Sequence, residues 1–441
     1  MITTDTENKA ASRCTGKIRD SLKASFFDGI FASCMLGMTA DYITPYALAL
    51  KAKVFQVGIL NALPNLIGSL AQLKSADITE KVGSRKKVIN VSVFLHLLMG
   101  LPIIFLPFLF KGHEITALII FVTLFSAFNA FAGPVWLSLM SDHLPCTKRG
   151  SYFGWRNKIL GIIITSSVFL AGFILHIFKG DILKGFMVIF SIAFISRFIS
   201  WCFLTQMYEP PLKIKKESYF NFFDFIRRAR ESNFAKFVIF IASLNFAVNL
   251  AAPFFSVYML RDLRFNYITY TVLVTTVAVT SIFTIDRWGR NADKIGNMRV
   301  LKFTSIIISI VPFLWLLCAH PVYILFVQII AGFAWSGFNL CAINFIHDAT
   351  SPQKRTRCIA YFNVFTGTAL CLGALIGGYL ANRLPELLGY KILALVLLSG
   401  ALRLLIVFMF SNKIKEVRTV RNITDKDLFF SVIGFKPVLS N

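Results

Sequence analysis

Long apolar runs alternate with short polar or charged stretches along almost the whole chain. The runs span 24–50, 54–77, 88–110, 115–141, 151–178, 184–205, 235–260, 267–286, 300–318, 322–347, 357–381 and 391–411. Each comes close to or exceeds the about 20 residues that a helix needs to cross the hydrocarbon of a bilayer. Helices of soluble proteins keep a polar face, whereas these segments are apolar nearly all round. The pattern predicts an all-α polytopic membrane protein with twelve transmembrane helices.

The polar interruptions divide the runs six and six. Pro210 and Pro211 end the sixth run, and a polar, basic stretch follows to Asn233. The expected organisation is an N-terminal segment 1–23, a six-helix half 24–205, a linker 206–233, a second six-helix half 234–411 and a tail 412–441. In the linker, Tyr219, Phe220, Phe222, Phe223 and Ile226 alternate with Asp224, Arg227, Arg228 and Arg230, which suits either a short helix on the headgroup surface or a solvated connection. Adding 206 carries Asp142 to Asp348, Lys148 to Lys354, Arg149 to Arg355, Asn157 to Asn363, Gly161 to Gly367 and Gly172 to Gly378. Six crossings return the chain to its starting side, so the halves are pseudo-symmetric repeats that run in the same direction.

Composition agrees: 56% of residues are hydrophobic, only 15% are charged, and 46 are phenylalanine, far more than a soluble core would use. The net charge of +24 raises the question of a nucleic-acid partner. Its distribution answers no, because the basic residues collect beside membrane segments rather than on one face. Lys9, Arg13, Lys17, Arg19 and Lys23 precede the first run, Lys81, Arg85, Lys86 and Lys87 follow the second, and Lys213, Lys215 and Lys216 follow the sixth. This asymmetry places both termini in the cytoplasm and suits the inner (plasma) membrane of a cell. The first 23 residues are polar, so the first helix is expected to act as its own insertion signal. Eight scattered cysteines without a C-x-x-C pair point to neither a metal site nor a disulfide framework. No hydrolase, metalloprotease or nucleotide-binding motif occurs, so no enzyme activity and no cofactor are expected.

Two charged loops repeat. Gly289, Asp293, Lys294, Gly296 and Arg299 stand between the eighth and ninth runs, and Ala76, Glu80, Lys81, Gly83 and Lys86 form a weaker copy between the second and third. In these loops the chain resembles the major facilitator superfamily, whose signature is Gly-x-x-x-Asp-Arg/Lys-x-Gly-x-x-Arg/Lys. The first copy departs from it at Ala76 and Glu80. The resemblance spans residues 24 to 411 and implies two six-helix halves that rock about a central site. It also implies a cytoplasmic latch, for which the candidates are Glu80, Gly83, Arg85 and Asp142 in the first half and Gly289, Asp293, Gly296, Arg299 and Asp348 in the second. Gly83 and Gly296 would permit the tight turns. Glu80 and Asp293 would set negative charge near a helix amino terminus, and Arg85 and Arg299 would pair with Asp142 and Asp348.

An ionisable group at membrane depth is costly unless it faces a cavity or a partner. Asp41 is the leading case, about 22 Å from the cytoplasmic edge if the helix runs straight from Phe26; it could hold a proton or a cationic group. Asp28 and the pair Arg156 and Lys158 read as interfacial. Arg197 and Arg403 read as packing or interfacial residues, and His96 and His176 as satisfied structural histidines. Polar stripes add Asn129 and Trp136 on the fourth run, Asn245 and Asn249 on the seventh, and Gln328, Trp335 and Asn339 on the tenth. Such groups either line a cavity or hold helices together.

The function that follows is secondary transport of a small-molecule solute, proton-coupled through Asp41, by a monomer surrounded by membrane lipids. A lipid-translocating protein of the same fold and a non-transporting receptor or scaffold are the alternatives. Asp41→Asn is therefore expected to abolish pH-driven accumulation in proteoliposomes; wild-type rates of both accumulation and solute exchange would remove Asp41 from the mechanism.

Overall fold

The computed structural model describes residues 2–144, 146–210, 232–350, 352–410 and 413–417, with side chains described for 16–144, 152–210, 232–350, 358–410 and 413–417. The proposed surface helix at 219–230 and most of the tail lie outside the described residues. So do the side chains of Lys148, Arg149, Lys354 and Arg355.

The helices are α1 (Ile2–Thr39), α2 (Ile43–Ala49), α3 (Val54–Val82), α4 (Arg85–Ile104), α5 (Leu106–Leu109), α6 (Glu114–His143), α7 (Cys146–Ile177) and α8 (Ile182–Thr205). There follow α9 (Asn233–Asn249), α10 (Phe254–Val257), a π-helical turn (Tyr258–Asp262), α11 (Tyr267–Ile295), α12 (Asn297–Leu314), α13 (Pro321–Ala349), α14 (Pro352–Leu380) and α15 (Lys391–Phe410). Among the described residues eleven helical segments are long and apolar enough to cross a membrane. The remaining apolar run, 24–50, is the broken pair α1 and α2.

Proline explains that break and a second one. A proline ring lacks the N–H that would bond to the carbonyl four residues earlier and crowds that carbonyl. Pro45 acts in this way on Asp41, and residues 40–42 form a turn. Pro253 does the same to Asn249, the last residue of α9. The first helix of each half is therefore interrupted at a similar depth along the chain. Asp41 sits in a turn, not on a continuous helical face as its spacing from Phe26 suggested.

The chain divides by contact into two units, one of Met1–Leu50 and Ile67–Lys215 and one of Lys51–Leu66 and Lys216–Asn441. This differs from the expected 24–205 and 234–411 at one place. The first part of α3 clusters with the second unit, where Gly58 faces Ala374 O and the Cα of Gly378, close enough that a Cβ at Gly58 would lie 2.7 and 3.2 Å from them. In the first unit α1 packs on α7 and α8, and α4 on α6 and α8. The second unit repeats the scheme, with α9 on α14 and α15, and α12 on α13 and α15. Two copies of one packing plan match the sequence repeat.

Lipid tails are as apolar as leucine, so helices in a bilayer associate through close backbone approach. Glycines provide it on matching faces. A Cβ at Gly37 of α1 would meet Ile164 O of α7 at 2.5 Å. On α14 a Cβ at Gly373 would meet Phe246 O at 2.5 Å, and one at Gly377 would collide with Leu250 O. Gly37 is thus a point of close contact between helices. Gly377→Leu is expected to lower stability by about 1–3 kcal/mol through overpacking. Gly161→Ala, with nothing within 4 Å of its Cβ position, should match or exceed wild type; thermal unfolding in detergent compares the two.

Candidate functional site

Three ionisable residues of the first unit are buried together. Asp28 of α1 is 5% exposed, and Arg156 of α7 and Arg197 of α8 are each 6% exposed. With Asn129 and Trp136 of α6 they line a cleft of about 290 Å³. Helical spacing puts Asn129 and Trp136 on one face of α6, two turns apart, with Gly133 between them.

Hydrogen bonds set the geometry. Arg197 Nη1 donates to Ser200 Oγ at 3.1 Å, and the Ser200 hydroxyl donates to Asp28 Oδ1 at 2.7 Å. Ser200 thus links the two charges, and among the described residues Asp28 has no direct ion pair. Arg197 Nη2 donates to Asn129 Oδ1 at 3.2 Å. Arg156 Nη2 donates to the carbonyl of Ser25 at 3.1 Å, and its guanidinium lies 4.7 Å from the centre of a Trp136 ring, a cation–π contact. Gly29 makes room for this, since a Cβ there would collide with Arg156 Nη2. Arg156 Nε, Arg197 Nε and Trp136 Nε1 are buried without a hydrogen-bond partner.

Sequence reasoning placed these residues differently. Asp28 is expected near the cytoplasmic boundary, Arg156 at the interface or in the Asp142 network, and Arg197 in a packing or interfacial role because its helix is peripheral in the family fold. The fold instead turns all three inward. The usable signal was the occurrence of serine or glycine beside each charge, Ser25 and Gly29 around Asp28 and Ser200 after Arg197, which allows partners to approach. Asp41 is partly buried in the turn between α1 and α2 and does not line the cleft. Arg403 fits a packing role: it is 4% exposed, Nε donates to Ser399 Oγ at 3.1 Å, Nη1 to Ile308 O at 3.1 Å and Nη2 to Val248 O at 3.4 Å. His96 is buried, with Nδ1 2.8 Å from Phe125 O, but its Nε2 has no hydrogen-bond partner among the described residues, so it is only half satisfied, unlike the expectation.

The candidates of the second unit make local or helix–helix contacts. Asn245 Nδ2 donates to Ile241 O and Asn249 Nδ2 to Asn245 O, each within its own helix. Gln328 Nε2 bonds across to Leu273 O at 3.1 Å and ties α13 to α11. Trp335 packs edge-on against Phe338 on the apolar core, and Asn339 is exposed.

At the charged loops, Gly83 (φ +71°) and Gly296 (φ +93°) adopt the left-handed conformation that glycine takes without strain. Arg85 Nη1 lies 2.6 Å from Asp142 Oδ2, and Nη2 donates to Pro210 O at 3.2 Å. Glu209, beyond the end of α8, covers the amino terminus of α4: its carboxylate accepts the Arg85 backbone N–H and the Ser84 hydroxyl, both at 2.6 Å. In the second unit Glu416, beyond α15, accepts the Met298 backbone N–H at 2.7 Å, and Asp348 accepts from Asn297 Nδ2 at 2.7 Å. Glu80 and Asp293 are exposed on the last turns of α3 and α11, as Gly289 is partly exposed on α11 and Arg299 on the first turn of α12. Glu209 and Glu416, which the loop motif does not contain, thus add a carboxylate at the amino termini of α4 and α12. A lone acid soon after the last apolar run of each half was their only trace in the sequence.

Comparison with known proteins adds an independent line. The sequence profile of the MFS_1 like family matches residues 21–386. The multi-drug resistance efflux pump PmrA of Streptococcus pneumoniae serotype 4 is 21% identical over 415 residues, covering 90% of this chain and 98% of that protein. Among solved structures, a mutant of the nucleoside transporter NupG superposes with a TM-score of 0.71 at 13% identity, covering 89% of this chain and 100% of that one. A bacterial homologue of the iron transporter ferroportin, in an inward-facing state, gives 0.66 at 16% identity over 90% of this chain and 98% of that one. At such identities the structures establish a common fold.

The two carboxylates on Arg85 and its helix differ in exposure, and that difference decides their weight. Asp142 is 45% exposed and Glu209 19%, so solvent screens the first pair more. Asp142→Asn is expected to cost about 0.5–1 kcal/mol and Glu209→Gln about 1–2 kcal/mol. Chemical or thermal unfolding of the two variants checks the order, and a larger loss in Asp142→Asn would contradict it.

Proposed function

The chain belongs to the MFS_1-like family of membrane transporters, and from that membership we propose that it is a secondary active transporter whose solute enters the cleft of Asp28, Asn129, Trp136, Arg156 and Arg197. One observation carries this reading: three buried ionisable side chains converge on a cleft of about 290 Å³ inside a membrane-embedded unit. Charges at membrane depth are retained where they serve a ligand or ion path. The sequence holds no nucleotide-binding loop, so an ion or solute gradient drives the cycle. Drugs, nucleosides and iron, named for the relatives, share no chemistry, so the side chains of the cleft are the better guide to cargo.

In this reading the two units rock to expose the cleft to one side and then the other. The paired loops at Arg85 and at Met298 stiffen the cytoplasmic ends of α4 and α12, and the basic loops orient both termini to the cytoplasm. Asp41 is assigned to proton coupling. Its place in an unwound turn supports this, because freed backbone carbonyls at a helix break can join a carboxylate in holding an ion.

Gly133 offers a direct test, since it lines the cleft and nothing lies within 4 Å of its Cβ position. In a cysteine-free background, Gly133→Cys should react with a membrane-impermeant maleimide in right-side-out vesicles and in inverted ones. Labelling confined to one orientation under every condition would eliminate alternating access and leave a receptor.

A further inference from the structure

We infer that the cleft is an oxyanion site, so that the transported solute carries a carboxylate or phosphate group. The word solute rests on the transporter reading above; the site itself does not. Of the charged groups on the cleft wall, one is a carboxylate, Asp28, and two are guanidinium groups, Arg156 and Arg197. Arginine keeps its proton under all physiological conditions. One positive charge is thus left without a counter-charge inside the membrane, which is a costly state in hydrocarbon.

The hydrogen-bond inventory has the same sign. Arg156 Nε, Arg197 Nε and Trp136 Nε1 are buried donors with no acceptor, while Asp28 already receives the Ser200 hydroxyl and Asn129 Oδ1 the Arg197 guanidinium. A cation would meet two like charges, and a neutral solute would leave the excess charge in place. An oxyanion supplies the missing charge and offers acceptors to the guanidinium groups of the cleft wall. The other half contains an internal contrast. Arg403 stands at the corresponding position, yet Ser399 Oγ and the carbonyls of Ile308 and Val248 take up its Nε and both terminal nitrogens. Every nitrogen of Arg403 thus has an acceptor within its own protein, whereas the Nε atoms of Arg156 and Arg197 have none.

Thermal unfolding of the full-length protein in phosphatidylcholine nanodiscs tests the assignment, with sodium benzoate, inorganic phosphate and choline chloride compared at equal ionic strength. One or both anions should raise the midpoint, since a ligand of the folded state stabilises it. Apparent affinity should fall at least tenfold in Arg156→Gln and Arg197→Gln and rise in Asp28→Asn. Should the arginine variants fail to fold, Gly133→Leu, which projects into open space, must abolish the anion response. The proposal is overturned by no anion response, by stabilisation from choline alone, or by an anion response equal in wild type and every variant. A response to added phosphatidylglycerol but to neither soluble anion would assign the charge to lipid headgroups and overturn the solute. Anion binding combined with one-sided labelling of Gly133→Cys would refute transport and spare the site; two-sided labelling without anion binding would do the reverse.

Discussion

Hydrocarbon offers a backbone amide no partner and a charge no solvation, and most of this structure follows from that constraint. Every apolar run becomes a helix because a helix satisfies its own N–H and C=O groups. The same constraint makes each exception informative. Helix α1 gives way at residues 40–42 and α9 after Asn249, in both cases four residues before a proline. Chain repetition has preserved not only the helices but the places where they fail.

Charge obeys the same rule with larger stakes. Arg403 is stabilised by the carbonyls of Ile308 and Val248 and by the Ser399 hydroxyl. Asp28, Arg156 and Arg197 form the other solution, a network closed through Ser200 and Asn129 on one side and open to a cleft on the other. The two halves share a packing plan and diverge in chemistry: the first concentrates ionisable groups around a cavity, while the second fills the comparable depth with Phe237, Phe338, Phe345 and their neighbours.

At the loops, water returns and the forces are weaker, so geometry has to be held by caps. Gly83 and Gly296 turn the chain, and a glutamate from beyond the last helix of each unit closes the amino terminus of the helix that follows. A carboxylate accepting backbone N–H groups at a helix start gains from both the hydrogen bonds and the helix dipole. Because Glu209 and Glu416 come from the end of each repeat, they tie its last helix to its third crossing.

Helix number, the twofold repeat, the family and the turn glycines were legible in the amino-acid order, because each depends on hydrophobic runs or on local backbone freedom. The pairing of Arg85 with Asp142 was also within reach, since both flank short loops at one membrane face. Asp28, Arg156 and Arg197 were not. They lie on α1, α7 and α8, and whether a charge on an apolar helix snorkels to the surface or turns inward depends on which helix stands beside it. Asp41 shows the converse: a straight rise from Phe26 presumes a helical continuity that gives way at residues 40–42, ahead of Pro45. Local order states what each segment must be in a bilayer, whereas the meeting of distant side chains, and with it the electrostatic character of the cleft, is set by helix packing that leaves no periodic mark in any single segment.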